Sequence, residues 1–197
     1  MDDLIEALAA RRGHFLLESG HHGELWLDLD ALFARPARVA PLVAALAQRL
    51  SAVGAEVVCG PLVGGAFVAQ AVAGQLDVEC AWTERVAGSP EDGLYTASYR
   101  VPGALRERVR GRSVAIVDDV INAGSATRAT LADLRACGAQ VVALGALLVL
   151  GSGARELAAA EGLVLESVAA LSNKLWAPEE CPLCAAGVAL ERPLSAG

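Results

Sequence analysis

Short, nearly unbroken apolar runs recur along the chain, at residues 56–59, 78–82, 114–117, 141–150 and 163–168, and they limit what it can fold into. A strand that is apolar at successive positions has no face to give to water. Such strands are buried on both sides, as in a parallel sheet covered by helices. The segments between the runs carry helical spacing. Residues 38–50 place Val39, Leu42, Val43, Leu46 and Leu50 on one helical face. Gly60-Pro61 reads as a break, and Gly64-Gly65 opens a helix bearing Phe67, Val68, Ala71 and Val72. Further helices are predicted from a small-residue turn to about Cys137 and over 154–160. The alternation implies an open, mainly parallel α/β sheet with right-handed crossovers. At 197 residues one such domain, spanning 1–197, is expected.

Composition excludes several classes. The longest apolar run, 141–150, is too short for a membrane helix, and Met1-Asp2-Asp3 is not a basic leader, so no membrane association and a cytoplasmic location are expected. Five scattered cysteines do not form the framework of a secreted domain. A formal net charge of −7 argues against nucleic acid as a partner. An anionic small ligand would need local N–H groups, a metal ion and a few arginines. Lys174 is the chain's one lysine. Between residues 87 and 103 the pattern dissolves into a long loop or hairpin.

The most informative stretch is Val114-Ala115-Ile116-Val117-Asp118-Asp119-Val120-Ile121-Asn122-Ala123-Gly124-Ser125-Ala126-Thr127. Four apolar residues put two carboxylates at the carboxyl end of a buried strand, where open α/β sheets bind ligands. Asp118 and Asp119 suit ribose hydroxyls or hydrated Mg²⁺. The small residues Ala123, Gly124, Ser125 and Ala126 let backbone N–H groups approach an anion at a helix start. Neither a Walker A loop nor a dinucleotide fingerprint is present. The bland alternative is a strand-turn-helix with a solvated acidic pair.

This stretch resembles the PRPP signature of the type I phosphoribosyltransferases, and the wider chain is similar to the orotate phosphoribosyltransferases among them. Gly13-His14-Phe15-Leu16-Leu17-Glu18-Ser19-Gly20 resembles their amino-terminal element, and Gly60-Pro61-Leu62-Val63-Gly64-Gly65-Ala66 their pyrophosphate loop. Glu84-Arg85 falls where their mobile catalytic loop begins, and Glu180-Cys181-Pro182-Leu183-Cys184-Ala185-Ala186-Gly187 resembles the ending of one bacterial branch. The resemblance implies a core over about 36–170 with a small hood from about 1–35 and 171–197. It implies transfer of phosphoribose from PRPP to a nitrogen base, orotate first, with Mg²⁺ carried by PRPP and not by direct protein ligation. Asp118 and Asp119 would hold the ribose, and Val120, Ile121, Asn122, Ala123, Gly124, Ser125 and Ala126 the 5-phosphate. Pro61, Leu62, Val63, Gly64 and Gly65 would hold the pyrophosphate and Arg85 its charge. A homodimer is implied as well.

Two departures from the family keep rivals open. The loop lysines are replaced within Arg85-Val86-Ala87-Gly88-Ser89, and the Arg that pairs with the orotate carboxylate is Gly151. Either a transferase for another base or a PRPP- or nucleotide-binding regulator without catalysis would fit those losses. Asn122, His21 and Arg155 are the candidates for the base pocket; for His21-His22 the alternative is plain surface. Cys181 and Cys184 have the spacing of a zinc pair, but no second pair is near in sequence. A metal-free tail is therefore expected, the alternative being zinc completed by His14, His21 or His22 or across a dimer.

Overall fold

The computed structural model describes residues 11–17, 20–27, 32–86 and 98–192. In chain order these form β1 (Arg11–Leu16), β2 (His22–Trp26), α1 (Pro36–Leu50), β3 (Val57–Pro61), α2 (Gly64–Leu76), β4 (Glu79–Val86) and β5 (Ser98–Arg100). Next come α3 (Arg106–Val109), β6 (Ser113–Ile121), α4 (Ser125–Ala136), β7 (Gln140–Leu150), α5 (Gly153–Glu161), β8 (Val164–Leu171), β9 (Leu175–Trp176) and α6 (Pro182–Ala185). The main sheet has the order β5-β4-β3-β6-β7-β8, parallel except for the β4–β5 pair. It is the open, mainly parallel arrangement that the apolar runs predict.

Each central strand alternates its side chains between two cores, which is why its sequence is apolar at every position. Val58, Ala115 and Val117 face a core with Val43, Leu46 and Leu50 of α1 and Val68 and Val72 of α2. Val57, Cys59, Val114 and Ile116 face the opposite core, with Leu131 and Leu134 of α4 and Leu157 of α5. The central strands are thus covered on both faces, and their backbone is reached from the strand ends.

Two boundaries depart from the sequence reading. Gly60-Pro61 is not a break: β3 continues through Pro61, paired with Thr83. Likewise β6 runs to Ile121, so Asp118 and Asp119 lie within the strand, because β7 continues beside it with Asp118 opposite Ala146 and Ile121 opposite Val149. The 87–103 segment takes the hairpin form at its base, with Arg85 opposite Tyr99; residues 87–97 lie outside the described residues.

Where the hood is expected lies a second, antiparallel sheet of order β1-β2-β9, which joins residues 11–26 to residues 175–176. Beyond α6 the chain returns to β1: Leu16 N donates to Glu191 O at 2.9 Å and Glu191 N to His14 O at 2.7 Å. This return brings to Cys181 and Cys184 a pair of candidate ligands that lies far from them in sequence. His14 and His22, on adjacent strands of the hairpin, stand beside the two cysteines. His21 is not part of that group.

Candidate active site

Strands β3 and β6 are parallel neighbours, but the chain leaves β3 toward β4 on one side and β6 toward β7 on the other. Their carboxyl ends open the crevice in which ligands bind in open α/β sheets. The turn after β3 leads into α2 and the turn after β6 into α4, and the first residues of α2 lie against the two acids of β6. A Cβ on Gly64 would overlap the Asp119 carboxylate, and one on Gly65 would lie 2.7 Å from Asp118 Oδ1. Only glycine lets the first turn approach the acids so closely. Leu62 N donates to Thr83 O at 2.8 Å and fixes that turn to β4; the Leu62–Val63 peptide is cis.

Asp118 is buried. Asp119 N donates to its Oδ1 at 3.0 Å, and Val120 N donates to Asp119 Oδ1 at 2.7 Å. Burial first, and then the adjacent Asp119 carboxylate, push Asp118 well above the usual carboxylate range. Asp118 is thereby biased toward its neutral form, able to donate a hydrogen bond as well as accept one. After the strand, Asn122 and Ala123 lead to Gly124 in the left-handed conformation at φ 77°, and α4 begins with no side-chain cap. The first N–H groups of a helix have no intrahelical acceptor, and here Ser125 and Ala126 are small enough to leave them open to an anion. Thr127 is buried next to them with its Oγ1 unpartnered.

Adjoining this cradle is a cleft of about 420 Å³ whose lining includes Asn122, Gly151, Asn173, Lys174 and Trp176. Asn173 Nδ2 donates to Asn122 Oδ1 at 3.4 Å. Of the three predicted base-pocket residues, the structure brings Asn122 into the cleft. It does not bring in His21, and Arg155 Nη1 donates to Gly151 O at 3.4 Å from outside the lining. Lys174, Asn173 and Trp176 were not found from the sequence, although Lys174 carried a signal in being the only lysine. Arg85 is exposed on β4. A second cleft, of about 500 Å³, lies at the amino edge of the sheet. Arg112 there bridges Glu56 and Glu79 at 3.7 and 2.8 Å, so its charges are already matched.

With the acid pair, the glycine turn and the helix-start cradle in place, comparison with known proteins gives the family. The phosphoribosyl transferase domain matches residues 28–178. This chain belongs to the phosphoribosyltransferase family. An orotate phosphoribosyltransferase of Caldanaerobacter subterraneus subsp. tengcongensis is 30% identical over 182 residues, 92% of this chain and 88% of that one. Another, of Thermotoga maritima, is 30% identical over 189 residues, 96% and 94% of the two chains. Among solved structures, the orotate phosphoribosyltransferase from Aeropyrum pernix superposes with a TM-score of 0.66 at 26% identity, covering 86% of this phosphoribosyltransferase and 92% of its counterpart.

Gly151 has φ 67°, and a Cβ there would stand 3.2 Å from Asn173 O. Arg cannot be placed at 151 without strain in the backbone and pressure on that carbonyl. Gly151→Arg should therefore lower stability, read as a fall in Tm, and give no gain in orotate turnover.

Proposed function

We propose that the chain transfers the phosphoribosyl group of PRPP to orotate, releasing pyrophosphate and forming orotidine 5'-phosphate. The observation that carries this reading is the close approach of Gly64 and Gly65 to Asp119 and Asp118, which supports a pyrophosphate turn beside a ribose-binding acid pair. The α4 start would hold the 5-phosphate and the adjoining cleft the base. As the bond to pyrophosphate lengthens, the ribose gains oxocarbenium character, and the acid pair would hold its hydroxyls while the anomeric carbon turns to the acceptor nitrogen. The donor set suits a hard cation: carboxylate oxygens at Asp119 and Asp118, beside a turn that can pass phosphate oxygens. Mg²⁺ held through PRPP and water on Asp119 would offset the charge of the departing pyrophosphate. A homodimer and a cytoplasmic setting are part of the same proposal.

Lys174 supplies the cation that Gly151 lacks, being exposed and in the cleft wall. Lys174→Ala is expected to raise the KM for orotate about tenfold, roughly 1.4 kcal/mol, with PRPP affinity unchanged. Steady-state assays varying each substrate would measure it; an equal effect on both substrates would remove Lys174 from base recognition.

A PRPP-binding regulator is the second reading, favoured by the absence of lysine from residues 85–89. Following pyrophosphate release with PRPP, Mg²⁺ and orotate, uracil or adenine separates the two. Orotate-dependent release supports the transferase, release with another base reassigns the acceptor, and saturable PRPP binding without release makes the chain a regulator.

A further inference from the structure

We propose that His14, His22, Cys181 and Cys184 bind one structural Zn²⁺ ion that ties the hood hairpin to the returning carboxyl-terminal segment. Their four candidate ligand atoms lie within 4.8 Å of one another. His14 Nε2 is 3.0 Å from His22 Nδ1, 3.3 Å from Cys181 Sγ and 3.8 Å from Cys184 Sγ, and Cys184 Sγ is 3.3 Å from His22 Nδ1. A tetrahedron with Zn–N near 2.0–2.1 Å and Zn–S near 2.3 Å has edges of roughly 3.3 to 3.8 Å. Four of the six separations fall on or near those edges, and the other two lie within 4.8 Å.

Hydrogen bonding alone explains the cluster poorly. His14 Nδ1 lies 2.9 Å from Val188 O, a carbonyl that only accepts, so in the neutral ring the proton is on Nδ1 and Nε2 carries a lone pair. One in-plane lone pair serves one well-aligned donor, yet three groups converge on it. A metal at the centre of the four satisfies all of them together. The bond from Nδ1–H to a backbone carbonyl is also the outer contact that orients metal-binding histidines.

The chain around the cysteines is shaped for the task. Ala185 N donates to Cys181 O at 3.1 Å and Gly187 N to Cys184 O at 2.9 Å, with Gly187 in the left-handed region at φ 69°. That turn curls the two sulfurs to one side and delivers Val188 O to His14. His14, His22 and Cys181 are buried, whereas Cys184 is exposed and offers the ion a way in. Two thiols binding as thiolates release two protons to solvent, and with two neutral imidazoles they leave the Zn²⁺ centre uncharged, which suits its buried setting.

The test uses the full chain, purified with reductant, without chelator and after removal of any affinity tag. Elemental analysis is expected to give about one zinc per chain. Cys181→Ser/Cys184→Ser should hold less than about a tenth of that, and Cys80→Ser, outside the cluster, should hold the full amount. Should the double variant fail to fold, the parent protein stripped of metal and titrated with Co²⁺ reads the site directly. Thiolate-to-cobalt charge transfer and the intense visible bands of tetrahedral cobalt should appear and be displaced by Zn²⁺. Zinc-free native protein that gives no cobalt spectrum would overturn the proposal, as would full zinc content in the double variant or another metal in its place.

Discussion

Asp118→Asn is expected to unfold at a higher temperature than the parent and to bind PRPP at least about tenfold more weakly, a loss of roughly 1.4 kcal/mol. The weaker binding would come from the loss of a ribose-holding carboxyl, and the higher Tm has a separate origin. Folding buries Asp118 beside Asp119 and raises its pKa, so over the interval between the two pKa values the folded protein holds a proton that the unfolded chain gives up. The slope of stability with pH is negative there: the neutral group costs little in acid, and the cost grows as pH rises from about 4 toward the raised folded value. Asn keeps the oxygen that accepts from Asp119 N and removes the titration. The gain in Tm should therefore be absent at the acid end and increase with pH, as thermal scans across pH would record. Calorimetric titration with PRPP reads the other half, and Asp118→Asn/Asp119→Asn should lose more. Parental affinity in the double variant would show that the ribose is held elsewhere.

The second large effect is at the glycine turn. Gly64→Ala puts a methyl group into the space of the Asp119 carboxylate, which can rotate away. The fold should survive, while kcat/KM falls about a hundredfold, ~2.7 kcal/mol of barrier. Gly60→Ala meets something stiffer, the backbone of Gly65 and Ala66 N at 2.9 Å. It should cost about 1–3 kcal/mol of stability, with activity lost through unfolding. Comparing Tm with kcat/KM in the two variants distinguishes a displaced acid from a displaced helix; an undiminished rate in Gly64→Ala would detach the turn from catalysis.

What the sequence made legible follows a simple division. The helix face of Val39, Val43, Leu46 and Leu50 and the doubly buried strands could be read because burial on both sheet faces leaves a direct imprint on polarity. Asp118, Asp119 and the small residues after them were legible for the same reason, being polar exceptions at the end of an apolar run. Strand ends were not: β6 carries two acids before it stops because β7 pairs with it that far, and polarity does not report a partner's length. Nor could Gly151 show its left-handed φ, or Lys174 its place beside Asn122 in one cleft, since both depend on the path between β8 and β9. The cysteine pair was visible, but its histidines lie 167 and 162 residues away, and only the hairpin register brings them there.

The hood's joining of β1 and β2 to β9 and to Glu191 also bears on the order in which the molecule is made. The strands of the main sheet and their helices can assemble from contacts within residues 36–171, while the early hairpin waits for its partners. During synthesis the cleft wall at Trp176 and the His14 contacts with Val188 and Glu191 must therefore come last. A nascent chain arrested before residue 175 would carry a formed acid pair and cradle but an unfinished cleft. Because residues 36–171 are already folded when the segment emerges, the flexible chain left to close is far shorter than the 174 positions between His14 and Val188, and each halving of a loop saves about 0.6 kcal/mol of closure entropy.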